Sequence, residues 1–312
     1  MVNAFTDTST GSLGTNLVQT AYDRYVEFAL RSMPLLRDVA DKRPVQQAMP
    51  GSSVVFQLYT DLSKVTGTLS ETVDPDAVAL GNTSQITVTL NEYGNAAIAT
   101  RKLELFSLSD VDPAIADIIA FNMADSLDEF VQTELRGGSN VIYGGAATAT
   151  TGVTAGGTIT SANIRKAVAK LRAGKAVPRV GELYWVGIHP EVSHDLRAET
   201  GDTGWRSAHI YNDAGAGQLW PGNIGVYEGA MFIESPRLYN ATDGASSARV
   251  YRTIVAGKQA LAEAVAQEPS VVIGPVTDKL MRFRPIGWYG VLGWKRYREE
   301  ALYRIENSSS IA

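Results

Sequence analysis

Hydrophobic positions along the chain change period several times, and each change marks an element. In residues 17–30, Val18, Ala21, Tyr22, Tyr25, Val26 and Ala29 recur at helical spacing, and Pro34 limits how far that helix runs. From Gly51 the period drops to two. Residues 53–59, 85–90 and 96–101 read as short strands rich in β-branched side chains, with 91–95 (NEYGN) as a Gly-containing hairpin loop joining the last two. Residues 60–83, between the first two strands, are rich in Thr, Asp, Ser and Gly and poor in large apolar side chains. A stretch of that length with no pattern of its own buries little of itself and is expected to need a partner surface.

Asp112-Pro113 supplies an N-cap and a first-turn proline. After it Ile115, Ile119, Met123, Leu127, Val131 and Leu135 form an unbroken i, i+4 row flanked by Ile118 and Phe130, ending at Gly137-Gly138. At 1.5 Å per residue this helix would be roughly 35 Å long, a structural beam. Residues 137–160 are Gly-, Thr- and Ala-rich and read as a linker. A second helix follows, capped by Thr160 or Ser161, with Ile164, Ala167, Val168 and Leu171 on one face and Gly174 as its stop. Strands then alternate with short helices: 183–188, a turn at His189-Pro190, 224–234, 249–256 and 271–273, with an aromatic, basic segment at 281–305 supplying closing strands. The fold class is α+β, without internal repeats.

Composition narrows the function classes. With 45% apolar and 20% charged residues, the 312-residue chain can bury a substantial core. The net charge of −5 gives no global basic field for nucleic acid, so any such contact must be local. The absence of cysteine removes disulfides and thiolate metal sites and fits synthesis in a reducing cytoplasm. The first 17 residues have neither the basic nor the apolar region of a signal peptide, and no stretch approaches the roughly 18 apolar residues of a membrane span. A soluble, intracellular chain with no membrane partner is expected.

The candidate chemistry is thin. Ala173-Gly174-Lys175 lacks the first glycine and the hydroxyl of a phosphate loop and ends a helix instead of opening one. Gly215-Ala216-Gly217 and the Gly287/Gly290/Gly293 series fail the dinucleotide pattern, and the latter, interleaved with Trp288, Tyr289 and Trp294, reads as aromatics packed over a sheet. His189 and His194, near Glu191 and Asp195, would motivate a metal-dependent hydrolase, but a spacing of five sets them about 140° apart on a helix. Asp110/Asp112 and Glu299/Glu300 read as a helix cap and a solvated edge. No catalytic, cofactor or metal residue is assigned.

One asymmetry of charge stands out. Asp61, Glu71, Asp74 and Asp76 outweigh Lys64 in the long loop, whereas residues 279–298 carry Lys279, Arg282, Arg284, Lys295, Arg296 and Arg298 with no acid. Such regions are candidate contacts between copies of the chain, and the basic strip is alternatively a surface for nucleic acid.

The order of these parts carries a resemblance. A polar arm with a helix, a long β-loop, a long helix, an α+β centre and a basic aromatic close resembles the major capsid proteins of tailed phages with the Hong Kong 97-type fold. The likeness is sharpest in QITVTLNEYGNAAIATRKLELFSLSDVDPAIADIIAFNMADSLD, residues 85–128, and is nearest to the N4-type major capsid family. It implies an N-terminal arm (1–50), an extended E-loop hairpin (51–101), a peripheral (P) domain with the spine helix (102–160), an axial (A) domain (161–276), and closing P-domain strands with the C-terminus (277–312). It also implies self-assembly in the host cytoplasm into hexamers and pentamers of an icosahedral shell around double-stranded DNA, which expands as the genome is packaged. A separate scaffolding protein and a portal are implied as partners, and a decoration protein is allowed. Some relatives join an E-loop lysine to a neighbour's asparagine; Lys64 and Asn307 are the positions that pattern suggests. An encapsulin-like compartment is the alternative on the same fold.

Overall fold

The computed structural model describes residues 34–44, 53–59, 62–69, 71–72, 74, 78–79, 84–106, 111–199, 223–275 and 278–311. Along the chain these form β1 (Ala40–Pro44), β2 (Ser53–Leu58), β3 (Ser84–Thr89), β4 (Asn91–Thr100), α1 (Arg101–Phe106), α2 (Val111–Leu135), β5 (Val141–Tyr143), α3 (Ser161–Ala173), β6 (Tyr184–Ile188), α4 (Pro190–Ala198), β7 (Asn223–Tyr227), β8 (Ala230–Glu234), β9 (Asn240–Ala241), β10 (Val250–Ala256), β11 (Leu261–Ile273), β12 (Phe283–Arg296) and β13 (Leu302–Asn307). The helix expected at 17–30, Asp61, Asp76 and the 215–217 glycines lie outside the described residues.

The i, i+4 apolar row builds α2 as the periodicity dictates. Leu127, Val131 and Leu135 are buried against Leu261, Leu292 and Trp294 of a sheet ordered β1-β11-β12-β4. Phe130 stacks on Trp294, ring centroids 5.7 Å apart, and Tyr93 closes the cluster at 4.4 Å from Phe130. Ile118 departs from the expected pattern: it is 51% exposed, on the far side of the helix from the row. The glycines of β12 let backbones approach closely. A Cβ on Gly293 would collide with the Thr89 carbonyl where β3 crosses the sheet.

A second sheet, ordered β5-β13-β10-β6-β8-β7, forms the centre, with β9 pairing β10. Helices α3 and α4 bury Ile164, Ala167, Val168, Leu171, Val192 and Leu196 in one core with Tyr184, Val186, Ile188 and Phe232 of this sheet. The third sheet is the antiparallel pair β2–β3.

Two sequence expectations change. Residues 91–95 are not a hairpin loop: they belong to β4, which pairs with β12, while β3 pairs back with β2. Apart from the single residue Leu90, the chain runs directly from one sheet into the next, and Gly94 lies within a strand instead of a turn. Residues 224–234 are instead the hairpin β7–β8, turning on Glu228 and Gly229 with φ of 50° and 79°, as a type I′ turn requires. The sheets also interleave across position 276: β11 pairs with β12, and β13 pairs with β10 in the central sheet. Long-range pairing of this kind leaves no trace in local periodicity.

Candidate assembly surfaces

The β2–β3 hairpin is anchored at its root and unsatisfied beyond it. Phe56 and Val88 are buried with Ala262, Ala264 and Tyr297, the Phe56 and Tyr297 rings meeting edge-on at 5.7 Å. Past Leu58 the character reverses. Tyr59, Val65 and Leu69 are 76%, 87% and 75% exposed, and Leu62 and Val78 are also exposed. Single exposed apolar residues need no explanation, but five within one projecting segment mark an interaction surface. Lys64, Glu71 and Asp74 lie in the same exposed stretch.

The residues of the basic strip differ in how far they are paired within the subunit. Arg296 is consumed within the subunit: its guanidinium donates to the Glu134 carbonyl at the end of α2 and pairs with Glu134 and Glu299. A cation there also complements the negative end of the helix dipole. Arg282 pairs with Asp278 at 2.6 Å in an exposed setting, and Arg284 makes an interaction of its own. Lys295 and Arg298 are exposed.

A network that sequence reasoning missed binds the three regions of the body. The Asp128 carboxylate of α2, 1% exposed, accepts the Leu36 amide at 2.7 Å and the Arg237 guanidinium at 2.9 Å. Arg37 donates through Nε and Nη2 to Glu263 of β11, which is wholly buried. Arg179 donates to Asp41 and to the Asp38 and Ala40 carbonyls, and the Gln259 amide completes Asp41. Residues 36–41 are thus bolted to the spine helix, the first sheet and the connection between α3 and β6 at once. Only one signal pointed here: Glu263 interrupts the otherwise apolar run 261–265, and an acid in a strand buried on both faces needs a cation.

The histidines do not converge. His189 is the N-cap of α4, its Nδ1 accepting the Glu191 amide, with its ring 4.9 Å from that of Tyr251. Burial pushes its imidazole below the ordinary value, against the pull of Glu191 and Glu234. His194 is exposed and contacts Asp195. Burial alone would raise Asp195, but the Ser310 hydroxyl and amide, then Ser309 and His194, hold its carboxyl below the usual range. Among the described residues no group of three or more His, Asp or Glu side chains is arranged to hold a metal ion. No described helix is long and apolar enough to cross a membrane. Asn307 is wholly buried with its amide donating to the Ser308 carbonyl, so an outside lysine has no path to it.

A family model described as phage capsid protein matches residues 18–307. No curated protein matches the sequence. Among solved structures, the chain is similar to the capsid of Ralstonia phage GP4, with 15% identity, a TM-score of 0.76 and 98% of each chain covered. It is also similar to the capsid asymmetric unit of cyanophage Pam1, at 14% identity and TM-score 0.75, covering 97% of this chain and 99% of that one. The head structure of Helicobacter pylori bacteriophage KHP40 gives 14% identity and TM-score 0.74, with 98% and 99% covered. At such identities the shared property is the fold, Hong Kong 97-like and α+β.

Proposed function

The chain belongs to the phage capsid protein family, and from that premise we propose which particle it builds and with what partners. It is a structural major capsid protein of the virion shell, and it assembles with copies of itself. In our reading it belongs to the N4-type branch and forms hexamers and pentamers of an icosahedral head around double-stranded DNA. Assembly proceeds in the host cytoplasm on a separate scaffolding protein, with a portal at one vertex, and the procapsid then expands; a decoration protein is allowed as a further partner. Residues 1–50, 51–101, 102–160, 161–276 and 277–312 serve as arm, E-loop, spine-bearing P-domain, A-domain and closing segment.

The observation that carries this reading is the hairpin. Its root is buried in its own subunit, and its projecting part bears exposed apolar side chains beside Lys64, Glu71 and Asp74. An exposed apolar segment of this kind marks a surface that another molecule covers. The acids of the loop, with Asp61 and Asp76, meet Lys279, Arg282, Arg284, Lys295 and Arg298 of a neighbouring copy. Arg296 is left out of that contact because Glu134 and Glu299 already hold it. Individually such pairs contribute only about 0–1 kcal/mol, so they set register while the apolar contacts supply affinity.

Electron microscopy of the protein expressed with and without the scaffolding protein tests the reading. Closed shells or capsomers are expected. A monodisperse monomer under both conditions overturns it.

A further inference from the structure

Helix α3 carries a charge pattern that neither the core nor the hairpin contact uses. Its buried arc is Ile164, Ala167, Val168 and Leu171. At roughly 100° per residue, the opposite arc has Ala162, Ala169 and Ala173 along its middle. Arg165 and Arg172 run along one margin and Lys166 and Lys170 along the other, and Lys175 follows just past the helix end; all of these residues are exposed. Residues 161–181 contain no acid. Among the described residues, carboxylates reach only the rim: Glu199 accepts from the Ser161 amide and hydroxyl, Glu228 sits 3.6 Å from Arg165, and Glu300 lies beside Gly174. Lys170 rests 5.7 Å from the Tyr303 ring, a weak engagement.

The contrast with residues 279–298 decides where polyanion binding belongs. In that strip Arg282 is paired with Asp278, and Arg296 is held by two carboxylates and a carbonyl. On α3 the cations outnumber the carboxylates and sit in two rows on one rigid element. The face also lacks any side chain larger than alanine between those rows. A protein partner would need aromatic or aliphatic anchors to bury, and this face offers none. A phosphate backbone needs only cations positioned to displace its counterions. With a net charge of −5, the chain has no general attraction for nucleic acid, so a local face of this kind has to supply it.

We propose that the exposed face of α3, centred on Lys166, Lys170, Arg172 and Lys175, binds the phosphate backbone of the duplex DNA enclosed by the shell; this rests on the capsid reading above. The contact is sequence-independent and salt-sensitive.

The test replaces those four residues by Gln and compares the binding of a short, fluorescently labelled duplex of mixed sequence across a salt series. Each phosphate contact contributes about 0.9 to the slope of log K against log salt, so the slope should fall by roughly 3–4. The matching variant, with Gln at Lys279, Arg282, Lys295 and Arg298, should keep the original slope. An unchanged slope in the α3 variant, or a fall confined to the second variant, overturns the proposal. If the α3 variant loses scaffold-dependent assembly while its slope stays unchanged, the face serves an acidic protein instead, and the proposal falls. Electron microscopy of the same preparations separates the two levels. Intact shells with an unchanged slope reject the DNA face alone, whereas failure of the unmodified protein to form shells rejects the capsid reading.

Discussion

The spine helix and the β2–β3 hairpin are neighbours in the chain but settle their polar and apolar groups in opposite ways. On α2, Asp128 is wholly partnered inside the subunit by Leu36 and Arg237, and Leu127, Val131 and Leu135 are buried. On the hairpin, burial stops at Phe56 and Val88, and the outward residues Tyr59, Val65 and Leu69 are largely exposed, Tyr59 making only a hydroxyl contact to Gln57. The body is therefore built to be stable alone. In the function proposed above, the hairpin is completed by another molecule. Mutations in the two regions should accordingly move different observables.

The largest effect is expected at the hairpin. Replacing Leu62, Val65 and Leu69 by Ser should abolish shell formation while changing the stability of the isolated subunit by no more than about 0.5 kcal/mol per site, as for other exposed positions. Urea unfolding of the subunit and particle counts by electron microscopy read the two quantities separately. A loss of subunit stability comparable to a core mutation would erase the contrast between the regions.

Asp128 should behave in the opposite way. Asp128→Ala takes the buried acceptor from the Leu36 amide and from the Arg237 guanidinium, which keeps only the more exposed Asp125, and losing such charged hydrogen bonds costs about 1.5–3 kcal/mol. Its unfolding midpoint in urea should fall sharply in the subunit alone, with no assembled particle needed to see it. A cost below about 1 kcal/mol, the range of exposed pairs, would mean that the network is not what holds the arm to the body.

How much of this was legible follows from the range of each signal. The i, i+4 row from Ile115 to Leu135 announced α2 because helical burial is written in local spacing. The strands β2 and β3 and the long unpatterned connection between them were legible for the same reason, but not that these two strands pair with each other. The Asn91–Asn95 stretch misled because Gly94, taken as a turn, sits in a strand whose backbone must pass close to Trp288; a Cβ there would come within 2.6 Å of the Trp288 carbonyl oxygen. The basic strip was visible as charge, but not that Arg296 is spent on the end of α2. The bolt through Leu36, Arg37 and Asp41 joins residues more than ninety positions apart, such as Leu36 and Asp128. No local pattern encodes a contact of that separation.

The smallest predicted effect concerns where acid acts on the body. His189 titrates below its ordinary value because it is buried at the start of α4. The unfolded chain, with an ordinary value of about 6.5, therefore binds a proton that the folded chain resists. This stability is fully present above about pH 6.5 and is lost as the pH falls toward the folded value. Asp195 acts in a different window: its depressed carboxyl contributes stability above the unfolded value of about 3.9, and this is lost only below it. His189→Asn keeps an N-cap acceptor for the Glu191 amide and removes the titration. Between pH 7.5 and pH 5 the urea midpoint of the variant should therefore change less than that of the unmodified subunit. Equal changes in the two proteins would place the acid response of this range elsewhere. If the hairpin variants and the unmodified subunit lose the same stability over this range, acid sensitivity belongs to the self-sufficient body, and the projecting arm takes no part in it.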